Sequence, residues 1–171
     1  MGVFSALRPQ ELLVDFAIAS ILVYLVYVAI EDYAKFKITN RTVFVGLLLY
    51  GLWAAVGGTE TILFDLGAGL LLFAIGFAFW SFRVVGAGDA KFMLVCGALV
   101  GVTHLPAFAI GLLVVSIVMF LAIKIASRPT VYPLVVMSRL GTIVDNGRVP
   151  YGVALSAATI YGFVTRALTT L

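Results

Sequence analysis

The sequence predicts an all-α protein, a polytopic membrane helical bundle with six transmembrane helices. Three observations lead there. Hydrophobic residues make up 63% of the 171 residues, where an ordinary globular chain holds about 45–50%. Charged residues make up only 11%, where about 25% is usual. The apolar residues are gathered into six runs separated by polar connections. A soluble domain of this size leaves much of its surface in water and lacks the interior to hide so many apolar side chains. A soluble enzyme, a disordered segment and a disulfide scaffold all fit poorly, and a mean hydropathy of +1.18 agrees. Residues 1–171 are expected to form a single transmembrane domain.

A helical span needs about 20 mostly apolar residues. The first run, residues 12–30, has that length and is followed by five more, so it reads as a span and not as a cleaved signal. Residues 62–82, 106–126 and 150–168 are similar. Residues 42–56 and 90–102 are shorter, and are expected to extend into flanking loops or to cross a thinned bilayer. The chain holds 17 glycines; those in Gly67-Ala68-Gly69 and Gly97-Ala98 read as close helix contacts. Phe73, Phe77 and Phe79 read as lipid-facing or packed. In the longest connection, residues 124–148, the apolar piece 131–137 is a candidate for a short segment lying along the interface.

The net charge of +3 belongs to short loops that meet lipid head groups, not to a nucleic-acid surface. Lys35, Lys37, Arg41, Arg83, Lys91, Lys124, Arg128, Arg139 and Arg148 fall on one side of the six spans. Only Arg8 and Arg166 fall on the other. This bias places the basic loops in the cytoplasm and both termini outside a cytoplasmic (inner) membrane. Cys96 lies in an apolar run and reads as a packing residue, and His104 as a loop residue. One cysteine and one histidine make no disulfide framework and no zinc site, so neither metal nor cofactor is expected.

The eight carboxylates carry the functional information. Glu11, Asp15, Glu60 and Asp65 fall at the outer ends of spans, where reaching water explains most of them. Asp32 and Asp89 differ. They are 57 positions apart, yet one follows a span running inward and the other precedes a span running outward. Both therefore belong at the same membrane depth. Asp89 stands in Val85-Gly86-Ala87-Gly88-Asp89-Ala90-Lys91. Gly86 and Gly88 let the backbone approach closely or adopt angles closed to other residues. A plain helix cap accounts for that segment equally well. An outward-facing pair of Asp15 and Asp65 is a weaker alternative, lacking glycine-rich surroundings.

Three stretches taken together resemble one family. Asp32 precedes Ile38-Thr39-Asn40-Arg41-Thr42, Asp89 lies in Gly86-Ala87-Gly88-Asp89-Ala90-Lys91, and the last span opens with Pro150-Tyr151-Gly152. The pattern is similar to that of the type IV prepilin peptidases, integral-membrane aspartyl proteases with a Gly-x-Gly-Asp motif. Thr39 stands where the family usually has proline, and the spacing to Thr42 is shorter. The large members carry Cys-x-x-Cys pairs for which Cys96 offers no counterpart. The chain therefore resembles the short, peptidase-only branch of the Flp (tight adherence) pili, with archaeal preflagellin peptidases as relatives.

The resemblance implies that Asp32 and Asp89 are catalytic, sharing one proton and activating water. It implies a prepilin substrate with a basic leader and an apolar helix, a glycine before the cut and a glutamate shortly after it. Lys91 is the favoured contact for that glutamate, ahead of Lys35, Lys37 and Arg41. Asn40, Pro150, Tyr151, Gly152 and the motif glycines would support the geometry. A helix-dipole argument assigns the shared proton to Asp32 at a helix C-terminus and the charge to Asp89 at a helix N-terminus. The rival reading is a non-enzymatic transporter or pilus-assembly subunit that uses the same carboxylates for ion binding or packing.

Overall fold

The computed structural model describes residues 9–126 and 150–170. It contains six α-helices and no strand among the described residues: α1 (Pro9–Lys35), α2 (Asn40–Ala55), α3 (Ile62–Ser81), α4 (Ala87–Val100), α5 (Leu105–Ala126) and α6 (Tyr151–Thr170). A 3₁₀ turn over Val102–His104 joins α4 to α5. Each helix matches one predicted span to within a few residues. Three of them, α1, α3 and α5, are long and apolar enough to cross a membrane on their own. The segment 131–137 and the residues Arg128, Arg139 and Arg148 lie outside the described residues.

The short helix α4 is the axis of the bundle. Fourteen residues make a rod about 21 Å long. It packs against α2, α3, α5 and α6. Nine of its residues are buried, Cys96 among them. Its neighbours, not lipid, cover most of its surface, so its shortness demands no thinning of the bilayer. Close approach to α3 depends on small residues. A Cβ added at Gly97 would lie 2.5 Å from the carbonyl oxygen of Ala68, and one at Gly69 would lie 2.6 Å from that of Leu94. Gly67 faces open space. Exposed apolar side chains such as Leu63, Phe77, Ile110 and Phe120 form the outer surface.

At one end of the bundle a buried ion pair holds four helices together. Arg166 of α6 donates to Asp65 Oδ2 of α3 at 2.7 Å. Its guanidinium also donates to Thr59 Oγ1 at 2.6 Å and to the carbonyl of Leu99 at 3.1 Å. It lies 4.9 Å from the ring centroid of Trp53 in α2. Tyr50 and Thr59 donate to the same carboxylate oxygen. This corrects two sequence expectations. Asp65 does not reach water at a span end, being 1% exposed, and Arg166 is a packed core residue, not a loop charge. The pairing of Asp15 with Asp65 also fails, because Asp65 is enclosed by these donors while Asp15 is exposed on α1. His104 bonds to Thr103 and Thr169 within this end.

Removing one member of a buried pair leaves an uncompensated charge, which costs about 3–5 kcal/mol. Arg166→Leu should lower thermal stability in detergent by that order, and adding Asp65→Leu should recover much of the loss. A single variant as stable as the parent would contradict the network.

Candidate active site

The other end of the bundle brings together four helix termini, the end of α1 and the starts of α2, α4 and α6. Helix α1 runs one turn beyond its predicted apolar span, helped by an ion pair between Glu31 and Lys35 at 2.9 Å across one turn. That extension puts Asp32 on the last helical turn, where it is 3% exposed. The chain then passes through Phe36, which takes a left-handed φ of 51°, and α2 starts at Asn40. Thr39 caps α2, its hydroxyl oxygen accepting the Thr42 N–H at 3.2 Å. A threonine at this position thus supplies by side-chain capping a helix start for α2. The Thr42 hydroxyl donates to Glu31 Oε2 at 3.4 Å, and the Tyr24 hydroxyl donates to the Thr42 carbonyl at 2.8 Å. These bonds latch the start of α2 to α1.

Gly152, in the first turn of α6, lies directly on Asp32. An added Cβ there would sit 2.7 Å from both Cγ and Oδ2 of the carboxylate. The N–H groups of Gly152 and Val153 face that carboxylate, but Oδ2 is buried without a completed hydrogen bond. The Val153 N–H is bonded instead to the Pro150 carbonyl at 3.2 Å. The dipole argument from sequence is therefore corrected. Asp32 faces a helix N-terminus too, that of α6, and the two carboxylates are not distinguished in that way.

Asp89 occupies the first turn of α4. Its Oδ2 accepts the Gly86 N–H at 3.1 Å, the side-chain-to-backbone arm of a capping box. Asp89 is thus a capping residue at the third helical position, with Gly86 as the N-cap. Gly86 takes φ −72° and ψ 151°, angles open to any residue, so it is proximity that favours glycine in this motif. The negative charge of Asp32 acts on Asp89, which is itself half-buried. The two carboxylates therefore lie within each other's field at the same end of the bundle.

Ile38 packs against the termini that carry Gly88 and Gly152; the sequence reading quoted it within the Ile38–Thr42 stretch but gave it no role. It is buried. A Cβ at Gly88 would fall 2.6 Å from the Ile38 carbonyl oxygen, and one at Gly152 would fall 2.8 Å from Ile38 Cδ1. The available signal was a lone isoleucine between Lys37 and Thr39, beyond the end of the first span. Asn40 Oδ1 accepts from Lys91 Nζ at 2.9 Å and so links α2 to the Asp89 motif. Pro150 is buried, and its carbonyl accepts the Val153 N–H at 3.2 Å. Tyr151 is exposed. Lys37 and Arg41 are also exposed.

The model of the type IV leader peptidase family matches residues 19–126. The chain belongs to this family. The matched stretch includes Asp32, Asn40 and the Gly86–Lys91 segment, and it ends before Pro150-Tyr151-Gly152. No match was found among curated proteins or among solved structures. Membership makes the chain a membrane peptidase of the leader-cleaving kind, and the rival reading as a transporter or assembly subunit gives way to it.

Because Gly152 leaves no room beside Asp32, Gly152→Val should displace that carboxylate. Misplacing a reacting group by about 1 Å can cost on the order of 100-fold in rate. Leader cleavage in membranes should fall by that order while helicity and expression persist. An unchanged rate would contradict the contact.

Proposed function

We propose that this peptidase is an aspartyl endopeptidase which removes the basic leader from Flp-type prepilins at the cytoplasmic face of the inner membrane, with Asp32 and Asp89 as its catalytic pair. The observation that supports the reading is that two carboxylates, remote in sequence, lie at one end of the bundle with the charge of Asp32 acting on Asp89, and that Asp32 is buried without a cationic partner among the described residues. The charge bias supports the orientation. The lysines and arginines outside the buried ion pair fall mainly at the carboxylate end, which the positive-inside rule assigns to the cytoplasm. A basic leader followed by an apolar helix crosses that same boundary.

Two carboxylates in each other's field do not both ionise readily, so they hold one proton between them. The ionised carboxylate takes a proton from water, whose oxygen attacks the scissile carbonyl carbon. The protonated carboxyl donates its hydrogen to the carbonyl oxygen. The tetrahedral diol then collapses as a proton passes to the leaving nitrogen and the C–N bond breaks. Gly88, Gly152 and Ile38 hold the helix ends that carry the pair. Asn40 orients Lys91. The whole chain acts in this reading as a single peptidase domain.

The pair functions in one protonation state, so kcat/KM should fall on both limbs of its pH profile. At low pH both carboxyls are protonated and no base remains. At high pH both are ionised and no acid remains. Co-expression with an Flp-type prepilin from the same genome provides the direct assay. The wild type should shorten the prepilin, and both Asp32→Asn and Asp89→Asn should leave it full length. Full cleavage by either variant would refute the dyad.

A further inference from the structure

Helices α2 and α3 both pack on α4, but they meet each other mainly at the Arg166 end, where the Tyr50 hydroxyl reaches Asp65 at 3.2 Å. Toward the carboxylate end they leave a cleft of about 340 Å³. Phe44 and Leu47 of α2 form one wall and Phe73 of α3 the other, with Leu94 of α4 among the lining residues. Phe44 is 67% exposed, so the cleft opens sideways into the lipid. Its polar rim is Asn40 and Lys91.

We infer that this cleft seats the apolar helix of the substrate, with a carboxylate near the end of that helix held by Lys91. The inference rests on the proposed peptidase function and adds to it a route from the bilayer to the carboxylates. Charge complementarity points to such an occupant. The Lys91 ammonium donates to the neutral oxygen of Asn40, and no carboxylate lies within ion-pair range of it among the described residues. A cation at the rim of an apolar cleft suits a ligand that is apolar along its length and anionic at that end. The positive N-terminal dipole of a helix entering here would be repelled by the ammonium unless an acidic residue stood in its first turn. Position separates a substrate from a lipid. Lys91 bonds Asn40, two residues after Ile38, and the Ile38 carbonyl packs against Gly88 in the turn that bears Asp89. A chain leaving the cleft over the rim arrives at the carboxylates, whereas a lipid anion has no need of that proximity.

The test places a photo-reactive phenylalanine analogue at Phe44, at Phe73 or, as a lipid-facing control, at Phe120 of α5. The full chain carries Asp89→Asn and is co-expressed in membranes with an Flp-type prepilin. Adducts with the prepilin should form at positions 44 and 73 about tenfold more than at 120. Filling the cleft by Leu47→Trp in the active enzyme should raise KM about tenfold with little change in kcat. Lys91→Glu should lose cleavage that a prepilin with its acidic residue changed to lysine regains. Adducts with lipid alone, or equal prepilin adducts at all three positions, would overturn the cleft assignment if the wild type still cleaves. Failure of the wild type to cleave would instead overturn the proposed function on which it rests.

Discussion

A carboxylate buried among apolar helices needs a positive partner or a proton, because an isolated charge in such surroundings costs far more than the fold can supply. Among its described residues this bundle contains two such groups, and it treats them in opposite ways. Asp65 receives a guanidinium, two threonine hydroxyls and a tyrosine hydroxyl. Asp32 receives the dipoles of two N–H groups and the field of a second carboxylate. A group enclosed by donors serves as a fastening. A group left short of partners is one whose proton can move, and such groups mark functional sites.

The two ends are mechanically joined. Helix α4 carries Asp89 on its first turn and offers the carbonyls of Ala98 and Leu99 to Arg166 near its last. Helix α6 carries Gly152 on its first turn and Arg166 fourteen residues on, about 21 Å along its axis. The ion pair at one end therefore sets how far α6 projects toward Asp32 at the other. The tight α3–α4 contact at Gly69 and Gly97 leaves α3 little freedom to slide along α4. What remains open is the cleft between α2 and α3, rimmed by Asn40 and Lys91.

Much of this was legible in the sequence. Six helices follow from six apolar runs, and the shared depth of Asp32 and Asp89 follows from counting crossings. The close contacts of Ala68, Gly69 and Gly97 follow from their size. Hydropathy averages a segment and does not say which face is covered, so Arg166 and Asp65, 101 positions apart, read as end charges and not as partners. The helix-dipole argument for placing the proton was incomplete for a related reason. It considered the helix that bears Asp32 and not α6, whose N-terminus packs on that residue. Ile38, quoted with its motif, was given no packing role because one apolar side chain in a polar loop has no periodicity to mark it. Thr39, a departure from the family pattern, became intelligible only as the cap of α2.

The proposed sharing of one proton by Asp32 and Asp89 is tested most directly by infrared titration of the protein in lipid with its aspartates carbon-13 labelled. The account predicts one protonated aspartate carbonyl band near neutral pH, present in the wild type and absent from both single asparagine variants. No such band in the wild type, or a band that survives either substitution unchanged, would contradict it.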